Sequence, residues 1–192
     1  EDFTKKVVAR AKSTKVGFDK SADIQTGPVI DGRAWNRLKG LIDGAVTDGA
    51  NLLAGGDRPK DLNNGHFFAP TVLSDVTETM DVYQQETFGP IVSIVPFSGE
   101  DHLLEMANDC DDGGLTAYIF TRDLARAEYY AAELRYGEIQ INGIKYDIDL
   151  PHGGIGQSGI GHDCSGLALN DYLVQKRITR ALDHSQFGGL NA

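Results

Sequence analysis

Between residues 91 and 141 the hydrophobic period of the sequence switches repeatedly, and that alternation constrains the fold more than any other feature. The apolar run Ile91-Val92-Ser93-Ile94-Val95-Pro96-Phe97, held between Pro90 and Ser98-Gly99, reads as a buried strand. A helix follows over 100–108 with Leu103, Leu104 and Ala107 inward, and then a strand over 115–121. A further helix spans 123–134, capped by Asp123, with Leu124, Ala127, Ala131 and Leu134 inward; a strand over 138–141 ends the series. Strand, helix, strand, helix, strand at this spacing requires right-handed crossovers and points to a parallel sheet, so the fold class is α/β.

The flanking segments fit around that series. Residues 2–16 form an amphipathic helix, with Phe3, Val7, Val8 and Ala11 as its apolar stripe and a basic outer face. After a turn-rich stretch, a helix over 31–49 takes Asp31 as its N-cap and buries Ala34, Leu38, Leu41, Ile42 and Ala45. Leu52-Leu53-Ala54 is a short strand closed by Gly55-Gly56, residues 57–65 are a polar loop, and 67–73 are strand-like. A glycine-rich loop over 151–161 precedes a short helix at 167–169. Residues 172–182 alternate apolar and charged side chains, as a dimerising sheet edge does, and 184–192 read as a frayed tail.

Composition narrows the function classes. A chain of 192 residues with 41% hydrophobic and 24% charged content is most simply one globular domain. Its net charge is −10 and no basic cluster stands out, so nucleic acid and anionic membrane are poor partners. No apolar run approaches the roughly 18 residues of a membrane span, and no secretory signal opens the chain. Cys110 and Cys164 are too few and too far apart for a disulfide framework, which favours a reducing cytoplasm. The methionines are Met80 and Met106 alone, and an apolar stripe begins almost at Glu1, so the chain reads as an excised piece.

Glu86-Thr87-Phe88-Gly89-Pro90 stands just before the first strand of the alternating series. In an extended segment residues two apart point the same way, which sets the Glu86 carboxylate beside the Phe88 ring. A carboxylate accepts two hydrogen bonds from a vicinal diol and a ring packs on a flat heterocycle, so the pair suits a nucleoside. On spacing alone, a solvated Glu and a core Phe compete with that assignment. Gly154-Ile155-Gly156-Gln157-Ser158-Gly159 satisfies a dinucleotide fingerprint by letter, but the preceding strand ends near Asn142 and no long helix follows. Tight turns explain those glycines better. His162-Asp163-Cys164 is a weak metal signal, and the carboxylates of Asp109, Asp111 and Asp112 lack calcium-loop spacing. Cys110 and Cys164 read as structural or incidental thiols, and Trp35 as packing.

Gln85-Glu86-Thr87-Phe88-Gly89-Pro90-Ile91 resembles the E-x-F-G-P motif of the NAD(P)-dependent aldehyde dehydrogenases. Gln25 to Ile30, Gly49 to Gly56, Phe68 to Leu73, Ala107-Asn108-Asp109, Gly114 to Ala117, Gly137 to Asn142, Pro151 to Gly154 and Ser158 to Gly161 resemble further family segments, in family order. The resemblance implies the C-terminal, catalytic-domain portion of such an enzyme. It carries a three-layer αβα architecture with a mostly parallel twisted sheet, a partial catalytic domain over 1–170, an oligomerisation strand over 171–183 and a tail over 184–192. It further implies that a cysteine thiolate attacks a small aldehyde, hydride passes to NAD or NADP, and water releases the acid, without a metal. The nucleophile and general base are expected upstream of Glu1, so no catalytic residue is assigned and the isolated chain is expected to be inactive.

By the same resemblance Glu86 holds the nicotinamide ribose, Phe88 packs near the ring, and His152 lines the substrate mouth with residues 142–149, Asn142 first, as the neighbouring wall. His152 replaces an aromatic residue common in the family, which favours a hydroxyl- or carboxylate-bearing aldehyde, as in lactaldehyde, glycolaldehyde or succinate-semialdehyde dehydrogenases. Gly156 replaces a frequent Lys. A cytoplasmic homo-oligomer, dimer or tetramer, is expected. A non-enzymatic self-associating module or truncated product is the rival, and an acyl-phosphate-forming relative fits the motif at Glu86 less well.

Overall fold

The sequence Asp31-Gly32-Arg33-Ala34 starts the helix around which the core is built. The Asp31 carboxylate accepts from the Ala34 backbone N–H at 2.8 Å, satisfying one of the donors a helix start leaves open. From there α2 (Gly32–Thr47) turns Leu38, Leu41, Ile42 and Ala45 inward at helical spacing. The computed structural model describes residues 1–20, 23–109, 113–145 and 147–180. Cys110, Asp111 and Asp112, the wall residue Tyr146 and the tail 184–192 lie outside them.

Three strands meet α2. β1 (Asn51–Ala54), β2 (Thr71–Ser74) and β3 (Ile91–Ile94) pair in that order, β1 antiparallel and β3 parallel to β2. β2 is the central strand and the most deeply buried. Val72 and Leu73 are inaccessible, and Thr71 satisfies its hydroxyl by accepting from Gly56 N and donating to Ala69 O. Leu38, Ile42 and Ala45 pack with Phe68, Leu73, Val76, Met80 and Val82 in one cluster, and Trp35 closes it with an indole N–H to Phe67 O at 2.9 Å. The short α3 (Asp81–Gln84) contributes Val82. Helix α1 (Asp2–Ser13) lies against β1 and β2 but buries no residue completely, and Phe3 is exposed.

A second sheet holds the rest. α4 (Glu100–Asn108), β4 (Thr116–Ile119), α5 (Leu124–Glu133) and β5 (Glu138–Ile141) alternate, with β4 and β5 parallel. Asp123 caps α5 through Arg126 N at 3.1 Å. Leu124, expected inward, stands at the first helical position and is exposed, while Ala127 and Tyr130 take the core face.

The α/β class therefore holds, and two details are corrected. The expected single, mostly parallel sheet in three layers is, among the described residues, a mixed three-stranded sheet and a separate parallel pair. The apolar run after Pro90 is not a fully buried strand: it pairs only to Ile94, leaves Val92 half exposed, and occupies a sheet edge. Pro96 carries no N–H and cannot extend that ladder. At the far end Gly166–Tyr172 is a 3₁₀ helix. Residues 173–180, within the span expected to be an oligomerisation strand, form no helix or ladder and expose Leu173, Val174 and Ile178.

Candidate functional site

Glu86 and Phe88 are positioned by a residue from another element. On α2, Arg37 donates through Nη1 to Glu86 O at 3.1 Å and through Nη2 to Thr87 O, and its guanidinium lies 5.9 Å from the centroid of the Phe88 ring. Phe88 is 73% exposed, which removes the core-Phe alternative, and Glu86 is exposed beside it. Simple two-residue alternation does not produce this pair, because Phe88 sits at φ +43° rather than in an extended conformation. The backbone turns there and reaches β3 through Gly89. A Cβ on Gly89 would stand 2.5 Å from both δ-carbons of Leu38, so only glycine lets the turn lie this close to α2.

His152 is held by a different partner. Its backbone N–H donates to Asp163 O at 2.9 Å, the Asp163 N–H returns to His152 O at 2.8 Å, and the ring Nδ1 lies 2.8 Å from Asp163 Oδ1. The intervening loop packs on the starts of β4 and β5: Ile155 N donates to Gly114 O at 3.0 Å, and Gly137 faces Gly153 O. Gly156–Ser158 makes a short 3₁₀ turn, with Gly156 at φ +60°, as a loop of tight turns requires. An open hollow of about 530 Å³ is lined by His152, Leu115, Ser158, His162, Asp163 and Asp171, among others.

Asn142 does not join His152. It follows the last residue of β5 and grips Thr121 beyond β4, accepting from Thr121 N at 2.9 Å and donating to Thr121 O at 2.7 Å. Gly137, against which the His152 loop rests, is at the other end of β5, roughly 16 Å away at the rise of an extended strand. Glu86, Phe88 and His152 thus all stand at strand starts, and Asn142 at a strand finish. The hollow that His152 lines does not include the Glu86–Phe88 turn.

Sequence reasoning missed Arg37 and the pairing of Asp163 with His152. Nothing local marks Arg37, whose contacts are 49 and 50 positions away. Asp163 stood out only as part of His162-Asp163-Cys164. Among the described residues no group of three or more His, Cys, Asp or Glu is placed to hold a metal ion, and no helix is long and apolar enough to cross a membrane.

Comparison with known proteins gives this geometry a family. The model of the aldehyde dehydrogenase family matches residues 1–178. The chain is 32% identical to a chloroplastic betaine aldehyde dehydrogenase of Beta vulgaris, over 97% of this chain and 37% of the relative. It is 37% identical to a 3-sulfolactaldehyde dehydrogenase of Pseudomonas putida, over 93% of this chain and 36% of the relative. A crystal structure of betaine aldehyde dehydrogenase from Staphylococcus aureus in complex with NAD+ superposes with a TM-score of 0.85 at 35% identity, over 95% of this chain and 38% of that one. The chain thus spans a little over a third of the length of these relatives. These matches correct one expectation. They support a domain of this family consistent with a cofactor-binding portion, and the assignment to the C-terminal, catalytic-domain portion does not stand.

Proposed function

This chain belongs to the aldehyde dehydrogenase family, and from that premise we propose that it supplies cofactor-side and substrate-mouth residues for the NAD(P)-dependent oxidation of a small polar aldehyde to its acid. The observation that carries the proposal is the Arg37 clamp, which ties down the carbonyls of Glu86 and Thr87 and leaves the carboxylate and the Phe88 ring outward. The clamp orders the backbone of the turn before a ligand arrives, and backbone already ordered loses little freedom on binding.

In this proposal Glu86 accepts hydrogen bonds from the two hydroxyls of the nicotinamide ribose, and Phe88 covers one side of the ring. The bound nicotinamide supplies a hydride acceptor. His152 lines the substrate mouth, and Asn142 contributes by rooting the segment 143–151 that delivers it. No residue of this chain is assigned as nucleophile or general base, so the chain alone turns over no aldehyde. A self-associating module is the second reading, favoured by the exposed Leu173, Val174 and Ile178.

Saturation-transfer NMR of the 192-residue chain with NAD+ tests the first reading. The nicotinamide protons are expected to receive saturation, with binding about tenfold weaker in Glu86→Gln, the effect of one charge-assisted hydrogen bond. Contact through the adenine alone, or binding indifferent to both Glu86→Gln and Phe88→Ala, would refute it. NADH production by the isolated chain with glycolaldehyde would refute the predicted lack of turnover.

A further inference from the structure

We infer that Asn64 is a site of spontaneous deamidation to aspartate and isoaspartate, and that the fold withholds the same reaction from Asn142.

Both asparagines precede a glycine, Gly65 and Gly143. A following residue without a side chain lets its backbone nitrogen approach the carboxamide with least hindrance. The Gly65 nitrogen bonds to Cγ of Asn64 and gives up its proton, the Cγ–Nδ2 bond breaks, and ammonia leaves with that proton. Water then opens the five-membered imide, with no change of oxidation state. Opening at Cγ leaves aspartate. Opening at the main-chain carbonyl leaves isoaspartate, whose backbone is longer by one methylene.

The two sites differ in what holds the carboxamide. Asn64 is exposed in the polar loop before Phe67, and among the described residues neither its side chain nor the Gly65 N–H makes a hydrogen bond. The Asn142 carboxamide is held at both ends, accepting from Thr121 N at 2.9 Å and donating to Thr121 O at 2.7 Å. Turning its Cγ onto the Gly143 nitrogen breaks both bonds, which at their net strength slows the reaction about tenfold or more.

The change at Asn64 reaches the core because the next three residues are tied down. Arg58 donates to Gly65 O, Val29 N to His66 O at 2.9 Å, and Trp35 Nε1 to Phe67 O at 2.9 Å. The same Arg58 guanidinium lies 5.7 Å from the centroid of the Trp35 ring. A Cβ on Gly65 would stand 2.9 Å from Cε2 of Phe67, so this stretch has little room for slack. The isoaspartate methylene enters immediately before Gly65 and draws its carbonyl off Arg58.

Incubating the 192-residue chain for days at mildly alkaline pH, in buffer and in urea, with peptide mass spectrometry, tests this. Asn64 is expected to convert about tenfold faster than Asn142 in buffer, and at a similar rate in urea, where the hydrogen bonds to Thr121 are gone. Asn64 left intact in buffer, or Asn142 converting as fast as Asn64 there, overturns the assignment. Trp35 is the only tryptophan, so its emission reports the second step. It should shift with the isoaspartate fraction and stay fixed in Asn64→Gln, whose longer side chain does not close the five-membered ring. Freshly prepared Asn64→Asp carries the new charge without the longer backbone and should match the unmodified chain. Conversion without a shift, the same drift in Asn64→Gln, or a shift in fresh Asn64→Asp overturns the release of Gly65 from Arg58.

Discussion

Arg37 Nη1 donates to the carbonyl oxygen of Glu86 at 3.1 Å, so the middle of α2 fixes the turn that precedes β3. Its other Nη reaches Thr87 O, and the guanidinium plane lies near the Phe88 ring. Phe88 pays the strain of a left-handed backbone, about 1–2 kcal/mol for a non-glycine residue, and this clamp offsets it. Arg37→Ala is predicted to lower stability by about 1–3 kcal/mol and to speed amide exchange over 86–89. Arg37→Lys should restore little, because an ammonium cannot span two carbonyls as a fork does. Urea unfolding with hydrogen exchange decides it; an unchanged midpoint and unchanged exchange would mean the clamp contributes nothing.

Gly89 makes the same turn possible by its lack of a side chain. Leu38 is fully buried and its δ-carbons occupy the space where a Cβ at position 89 would go. Gly89→Ala is predicted to destabilise by about 1–3 kcal/mol through overpacking. The double variant Gly89→Ala/Leu38→Ala should cost less than the sum of the two single changes, since the leucine leaves the cavity that the new methyl enters. Strict additivity in chemical unfolding would show that the two sites do not meet.

These two contacts mark where legibility in the sequence stops. The helix over 100–108 and the strand over 138–141 are readable to the residue, and so are the caps Asp31 and Asp123, because period and capping are local properties. Sheet order is not local. The run from Ile91 looks like a buried strand, yet it lies at an edge, and Thr71–Ser74, a strand of the same length, takes the centre. Phe88 was expected to share a face with Glu86 by alternation, whereas a positive φ and a distant arginine bring both outward. Likewise His152 stands out by chemical type, but its pairing with Asp163 depends on how a glycine-rich loop folds back.

Acid should loosen α2 from its capped end. The Asp31 carboxyl is held below its ordinary value of 3.8, first by the Ala34 backbone N–H and then by the Arg33 side chain. The unfolded chain therefore binds the proton more readily, and the contribution of this group to stability is complete above about pH 3.8 and lost as pH falls through the lower folded value. Asp147, lowered first by the Lys145 side chain and then by the Asp149 N–H, adds a loss of the same sign. Asp31→Asn keeps a capping oxygen and is predicted to flatten the acid limb of the melting curve without removing the helix. If melting temperature against pH keeps the same slope in that variant, Asp31 is not its source.

The His152 loop depends on glycine at two positions for different reasons, and this separates crowding from backbone strain. At Gly137 an added Cβ would lie 1.8 Å from Gly153 O, a clash with backbone that no side-chain rotation relieves. Gly156 has open space around it but sits at φ +60°, so a substitution there costs about 1–2 kcal/mol of local strain and displaces nothing. Gly137→Ala is therefore predicted to push the loop off the start of β5 and to break the His152–Asp163 pairing, whereas Gly156→Ala keeps it at reduced stability. Amide spectra of His152 and Asp163 report the pairing directly. Retention of those bonds in Gly137→Ala, or their loss in Gly156→Ala, would place the control of this loop somewhere other than in its packing on β5.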